Sequence, residues 1–307
     1  MFSSSQCLLK LSASQYPQEK INFVFDFFIT PKWRSGWSDG NITCMRKLYM
    51  IILIIFIIYS LVCLLVYCFQ EKLIFFPEKL PGNYIFQFEE PHEEINLKSS
   101  SGNTINCLLF KANNSKGIIL YFHGNAGSLR SWGSVAADFI PLQYDICIAD
   151  YPGYGKSMGK LSEAHLFTDA QAVYDEMKKR YNEPGVIIYG RSIGTGIAAH
   201  LASENNPRKL ILESPYFSMK DFSHRLYPFL PSFLLRYSFR TDLFLKEIKC
   251  PVFIFHGKKD EVVSYESSLR LKKLFKEKDR LFTIEEGHHN DLNQFPMYHL
   301  PLKEILQ

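Results

Sequence analysis

The sequence predicts an α/β fold: a mainly parallel sheet with helices on both faces and a short helical lid, preceded by one transmembrane helix. Three observations predict it. Short, unbroken apolar runs of strand length recur after residue 90. Stretches of helical period separate them. One segment, residues 48–69, contains no charged side chain. Strands that alternate with helices favour parallel pairing, and strands buried on both faces read as continuous apolar runs.

Taken in order, residues 1–44 show no clean period and are rich in serine and aromatics. They read as an extension that is either disordered or upstream of the true start, since Met45-Arg46-Lys47 makes a natural beginning. Residues 45–70 read as a membrane anchor. The uncharged run of 22 residues would span ~33 Å as a helix, enough for a hydrocarbon core of ~30 Å. A cleavable secretory signal is shorter and ends on small residues, unlike Tyr67-Cys68-Phe69. Arg46 and Lys47 precede the run, whereas Lys72 and Lys79 beyond it are offset by Glu71 and Glu78. The positive-inside rule then expects the N-terminus in the cytoplasm and the C-terminal domain on the far side.

Residues 71–307 read as one α/β domain. Residues 93–112 hold two alternating segments around Ser101-Gly102-Asn103, a hairpin signal. GIILYFH, DICIAD, VIIYG, KLILES, PVFIFHG and RLFTIEE follow as strands, with LFTDAQAVYDEMKKRY and YESSLRLKKLFKEK as helices between them. Residues 214–249 lie between two sheet strands and read as a lid. Phe217, Phe222, Tyr227, Phe229 and Phe233 there either wall an apolar ligand or pack among themselves.

Composition narrows the function classes. The net charge is a mild +4, with no Lys/Arg run that would track phosphates, so nucleic acid is not an expected partner. Seven cysteines without a CxxC spacing give neither a disulfide framework nor a metal site. Cys107, Cys147 and Cys250 stand in or beside strand-like runs and read as buried thiols. Gly155-Lys156-Ser157 looks like the end of a phosphate loop, but Asp150 occupies the position of its first glycine. His288, His289 and Asp291 lack the spacing of a zinc-ligand set.

The strongest chemical signal is Gly190-Arg191-Ser192-Ile193-Gly194, between a strand and a helix. Such a turn holds a serine in a strained conformation at a helix N-terminus, where free N–H groups favour developing negative charge. A serine nucleophile needs a base and the base an orienting acid, in chain order serine, acid, histidine. Asp260 lies just past one strand, and His288 and His289 lie past the last. For the oxyanion hole, the N–H groups of Asn125 and Ile193 are expected, with Gly124 and Gly127 allowing close approach and His123 bracing the loop.

HGNAGS, DYPGYGKS, GRSIGTG, HGKKDEVV and GHHNDL, in this order, resemble the α/β-hydrolase superfamily. With QEKLIFFPEKLP after the apolar run, they are most similar to its membrane-anchored branch, the serine aminopeptidase-like and depalmitoylating serine hydrolases. The resemblance covers residues 70–307. It implies a cofactor-free serine hydrolase acting on an ester, thioester or amide of a small-molecule or acylated substrate. It places the nucleophile on Ser192, the acid on Asp260 and the base on His289, and leaves His288 where a small residue usually stands. The competing expectation is a non-catalytic hydrolase-fold binding or scaffolding protein at the membrane.

Overall fold

A computed structural model describes residues 39–307. The readings made on residues 1–38 lie outside the described residues. The chain divides into two compact units between Leu61 and Val62. One long helix, Asp39–Ile74, contributes to both. Its segment Thr43–Ile74 is long and apolar enough to cross a membrane, and most of its large apolar side chains are exposed. This apolar helix is a candidate membrane anchor.

The second unit is built on an eight-stranded sheet in the order β10-β9-β8-β7-β4-β6-β3-β2. The strands are β2 (His92–Lys98), β3 (Thr104–Phe110), β4 (Ile118–Phe122), β6 (Asp145–Ala149), β7 (Val186–Arg191), β8 (Lys209–Glu213), β9 (Val252–Gly257) and β10 (Arg280–Ile284). Two short segments, β1 (Phe76–Pro77) and β5 (Ala126–Gly127), pair in parallel beside it. In the main sheet β3 alone runs opposite to the common direction of the other seven strands. The expected hairpin is β2–β3, closed by Gly102 at a φ of 87°, a conformation suited to glycine.

The unbroken apolar strands behave as anticipated. Along β4, Leu120 and Phe122 join one core and Ile119 and Tyr121 the other, so the sheet is buried on both sides. Helix Glu163–Tyr181 follows the predicted periodic stretch, and Ser162 caps it by accepting the His165 N–H at 3.2 Å. The stretch after β9 ends sooner than its period suggests, with helix Glu266–Lys272. Asp279 explains this: its carboxylate accepts the N–H groups of Lys276 and Val252, turning the chain into β10. Cys107, Cys147 and Cys250 are buried free thiols.

Strands β4, β7, β8, β9 and β10 are mutually parallel, so their carboxyl ends share one edge. That edge is where α/β folds place ligand sites. Between β8 and β9 lies the segment 214–249, read from sequence as a lid, with helices Met219–Leu226 and Thr241–Glu247 and one 3-10 turn, Ser232–Leu234.

Candidate active site

Ser192 stands between β7 and helix Gly194–Glu204 with a φ of 52°, in the left-handed region. A non-glycine residue there is strained and persists only where its surroundings enforce it. They do so here. A Cβ on Gly190 would meet Ala198 Cβ at 2.6 Å and Thr195 Cα at 2.8 Å, and one on Gly194 would meet the Phe122 carbonyl at 2.1 Å. Glycine on both sides therefore lets the turn close against β4 and its own helix. The Ser192 N–H donates to the Glu213 carbonyl at 2.9 Å, extending the β7–β8 ladder by one bond.

The loops after β9 and β10 bring Asp260 and His289 to this serine. His289 Nε2 lies 3.0 Å from Ser192 Oγ, and Nδ1 lies 2.8 Å from Asp260 Oδ2. Both the histidine and the aspartate are buried. Asp260 Oδ1 accepts the N–H groups of Val262 at 2.9 Å and Val263 at 2.7 Å. Burial alone would raise the Asp260 pKa, but hydrogen bonds from His256 and His289 outweigh it and hold the carboxyl well below the usual range. His288 turns outward: its Nδ1 lies 3.1 Å from exposed Glu261, while its N–H donates to Asp291 Oδ1 at 2.7 Å.

The loop after β4 is fixed by its own histidine. His123 Nδ1 donates to the Gly124 carbonyl at 2.7 Å, and its Nε2 sits 3.2 Å from the buried Asp150 carboxylate. In a trans peptide C=O and N–H point opposite ways, so fixing the Gly124 carbonyl also fixes the direction of the Asn125 N–H. The Asn125 carbonyl accepts Phe76 N–H at 2.9 Å and the Tyr154 hydroxyl at 2.7 Å. Its side chain donates to the Ile74 carbonyl at 3.1 Å, at the end of the long helix. The loop's tie to that helix was not legible from sequence spacing.

Two further residues escaped the sequence reading. Arg191 pairs with buried Glu213 at 3.2 Å and donates to the His289 carbonyl at 3.3 Å and Asn290 Oδ1 at 3.2 Å. His256 backs Asp260 from below, its Nε2 2.8 Å from the Val263 carbonyl and 3.3 Å from Asp260 Oδ2. Both lie beside motif residues, yet neither position has a residue type that spacing alone would single out.

A cavity of about 510 Å³ opens beside Ser192, lined chiefly by apolar side chains. Phe222, Tyr227 and Phe229 of the segment between β8 and β9 line it, with Val62 and Val66 of the long helix. Phe217 and Phe233 stand apart from it: Phe217 lies under Arg270, 3.8 Å from the ring centre, and Phe233 is 82% exposed. Among the described residues, no group of three or more His, Cys, Asp or Glu side chains is arranged to hold a metal. Lys156 and Ser157 are used structurally, by Glu94 and by the Asp150 carbonyl.

Known proteins share this architecture. The chain is 30% identical to human alpha/beta hydrolase domain-containing protein 17B over 241 residues, covering 75% of this chain and 80% of the relative. This chain belongs to the α/β-hydrolase family. Residues 113–243 match the family model described as serine aminopeptidase, S33. Protein bem46 of Schizosaccharomyces pombe is 32% identical over 64% of this chain and 72% of its own. Lysophosphatidylserine lipase ABHD12 of Macaca fascicularis is 35% identical over 51% of this chain and 45% of its own. Among solved structures, a Pyrococcus furiosus esterase overlays 76% of this chain and 97% of its own, with a TM-score of 0.61 at 18% identity. The fold is that of the α/β-hydrolases, and the family is one of hydrolases.

Proposed function

We propose that this hydrolase-family chain acts as a serine hydrolase, transferring an acyl group to water through an acyl-enzyme on Ser192. The observation that supports it most is the continuous hydrogen-bonded line from Ser192 Oγ through His289 to Asp260. In this reading His289 Nε2 takes the Ser192 proton as Oγ attacks the substrate carbonyl. Asp260 keeps the imidazole proton on Nδ1 and stabilises the cation that forms. The N–H groups of Asn125 and Ile193 hold the oxyanion; neither donates to a backbone acceptor among the described residues. As the tetrahedral species collapses, the bond to the leaving group breaks and His289 returns the proton to that group. Water then attacks the acyl-enzyme with His289 again as base, releasing acid and free Ser192.

An ester, thioester or amide fits this chemistry, with no cofactor required. The lipase and esterase names of the relatives, together with the apolar cavity, favour an acyl ester or thioester over a peptide. A scaffolding role is less well supported, because a strained serine in contact with a buried histidine has no structural purpose. The chain is further proposed to be held in the bilayer by residues 45–70, with residues 71–307 as the catalytic domain beyond the membrane and residues 214–249 as its lid.

The test is covalent labelling of the full-length protein in detergent with a fluorophosphonate probe, alongside turnover of p-nitrophenyl esters, acyl-CoAs and aminoacyl amides. Labelling that is lost in Ser192→Ala, with turnover of at least one class, is expected. An unlabelled wild-type chain without turnover of any class overturns the reading.

A further inference from the structure

The long apolar helix does not end where the hydrolase fold begins. Val62, Val66, Gln70 and Ile74 recur at intervals of four, so they form one stripe along the helix. All four line the cavity that also contains Ser192. The stripe has a direction. Its Ile74 end is tied to the oxyanion loop, because the Asn125 side chain donates to the Ile74 carbonyl at 3.1 Å. From there to Val62 is twelve residues, about 18 Å along a helix axis. That is a wall of the length of a long acyl chain, beginning at the nucleophile and leading away from it.

The stripe is held in place and kept apolar by Gln70. This side chain is buried, yet both ends of its amide are paired: Nε2 donates to the carbonyls of Tyr67 at 3.1 Å and Leu234 at 3.0 Å, and Oε1 accepts the Arg236 N–H at 2.8 Å. It therefore clamps the lid to the helix without presenting an unpaired polar atom to the cavity. Glu71 pairs with Arg236 and accepts the Tyr237 hydroxyl, reinforcing the clamp. Across the cavity, lid residues Leu226 and Phe229 line the same space and are still 52% and 63% exposed, so the wall opens at an apolar lip. Val62 and Val66 belong to the uncharged run of residues 48–69. A volume of about 510 Å³ suits a drug-sized or lipid-sized ligand.

We propose that the last turns of this helix, residues 62–74, are the acyl-binding wall of the active site, and that Val66 and Val62 set the longest acyl chain that can be presented to Ser192. The occupant is the hydrocarbon chain of an ester or thioester, lying along the helix with its carbonyl at Ser192 and its methyl end toward Val62. The inference rests on the serine-hydrolase reading and deepens it: the anchor is also a specificity element. Side chains on other faces of the same helix have no such part. Leu64, for example, is 57% exposed and does not line the cavity.

The experiment uses the full-length protein in nanodiscs and measures kcat/KM for p-nitrophenyl palmitate, octanoate and acetate. The readout is the palmitate-to-acetate ratio. Val66→Trp, which fills the middle of the wall, should lower that ratio by roughly tenfold or more, the scale on which apolar pockets discriminate chain length. Val62→Trp should lower it less and spare octanoate, since it blocks only the distal end. Val66→Ala, which cannot overpack the site, should raise the ratio or hold it. Leu64→Trp should leave the ratio unchanged. A labelled, active wild type whose ratio ignores Val66, or falls equally in Leu64→Trp, overturns the inference alone. A wild type that takes no fluorophosphonate and cleaves no ester overturns the serine-hydrolase reading and this inference with it.

Discussion

Arg191 and His289 are joined across the candidate active site, the Arg191 guanidinium donating through Nη2 to the His289 carbonyl at 3.3 Å. The same guanidinium pairs with buried Glu213 and stacks on Trp132, whose indole N–H donates to the Ala126 carbonyl at 2.7 Å. One side chain thus links the serine turn, the histidine loop and the loop of Asn125. Arg191→Lys keeps a cation beside Glu213 but loses the planar fork that reaches His289. Its kcat should fall about ten- to hundredfold, the scale of a small misplacement of a catalytic group, with KM little changed. Steady-state kinetics with a single ester checks this, and an unchanged kcat would show that the histidine loop holds itself.

Ser192, His289 and Asp260 are expected to act in one step. Ser192→Ala and His289→Ala should each lower kcat by up to ~10⁶-fold, and the double variant by little more. His288→Ala should retain most activity, because that side chain faces Glu261 at the surface. Kinetics on the four variants decide it; an inactive His288→Ala beside an active His289→Ala would reverse the assignment.

Asn125 offers a backbone donor and a side-chain brace, and the two can be separated. Loss of one oxyanion donor costs roughly 10²–10³ in rate. Asn125→Pro, which removes the N–H, should show that loss. Asn125→Ala keeps the N–H but releases the Ile74 carbonyl, so its loss should be smaller yet measurable. Circular dichroism on both variants separates a rate effect from misfolding, and equal losses in folded proteins would assign the role to the side chain.

Asp260 should make stability sensitive to acid. Its folded carboxyl is held below the ordinary range by His256 and His289 despite burial. Above the unfolded pKa of ~3.9 both states are ionised and the stabilisation is complete. As pH falls below that, the unfolded chain gains a proton that the native one still refuses, and stability declines until the native group titrates. Melting temperatures of the full-length protein between about pH 5 and pH 3 should therefore drop more steeply in wild type than in Asp260→Asn. Parallel slopes would refute the linkage.

Much of this molecule was legible in the chain because its signals are local. The apolar strands, the serine turn between strand and helix, and the order of Ser192, Asp260 and His289 each sit within a few residues of a strand end. Order and spacing pointed to Asp260 and to two adjacent histidines, and it is His289, not His288, that stands between Ser192 and Asp260. Long-range partnerships left no such mark. Gln70 is 164 residues from Leu234, and Asn125 is 51 from Ile74, so nothing in either neighbourhood announces the bond. The lid aromatics were ambiguous for a related reason: composition does not say which of five rings faces a cavity, and Phe217 is claimed instead by Arg270.

The left-handed backbone at Ser192 means that serine is not the most comfortable residue at this position. An L-residue in that region costs about 1–2 kcal/mol, and glycine escapes the cost. A Ser192→Gly chain should therefore melt later than a Ser192→Ala chain, which keeps the strain, although both would be inert. Thermal denaturation of the pair measures the difference directly. Selection for folding alone would drift toward glycine here. In the serine-hydrolase reading, serine here is a place where the chain gives up robustness for reactivity.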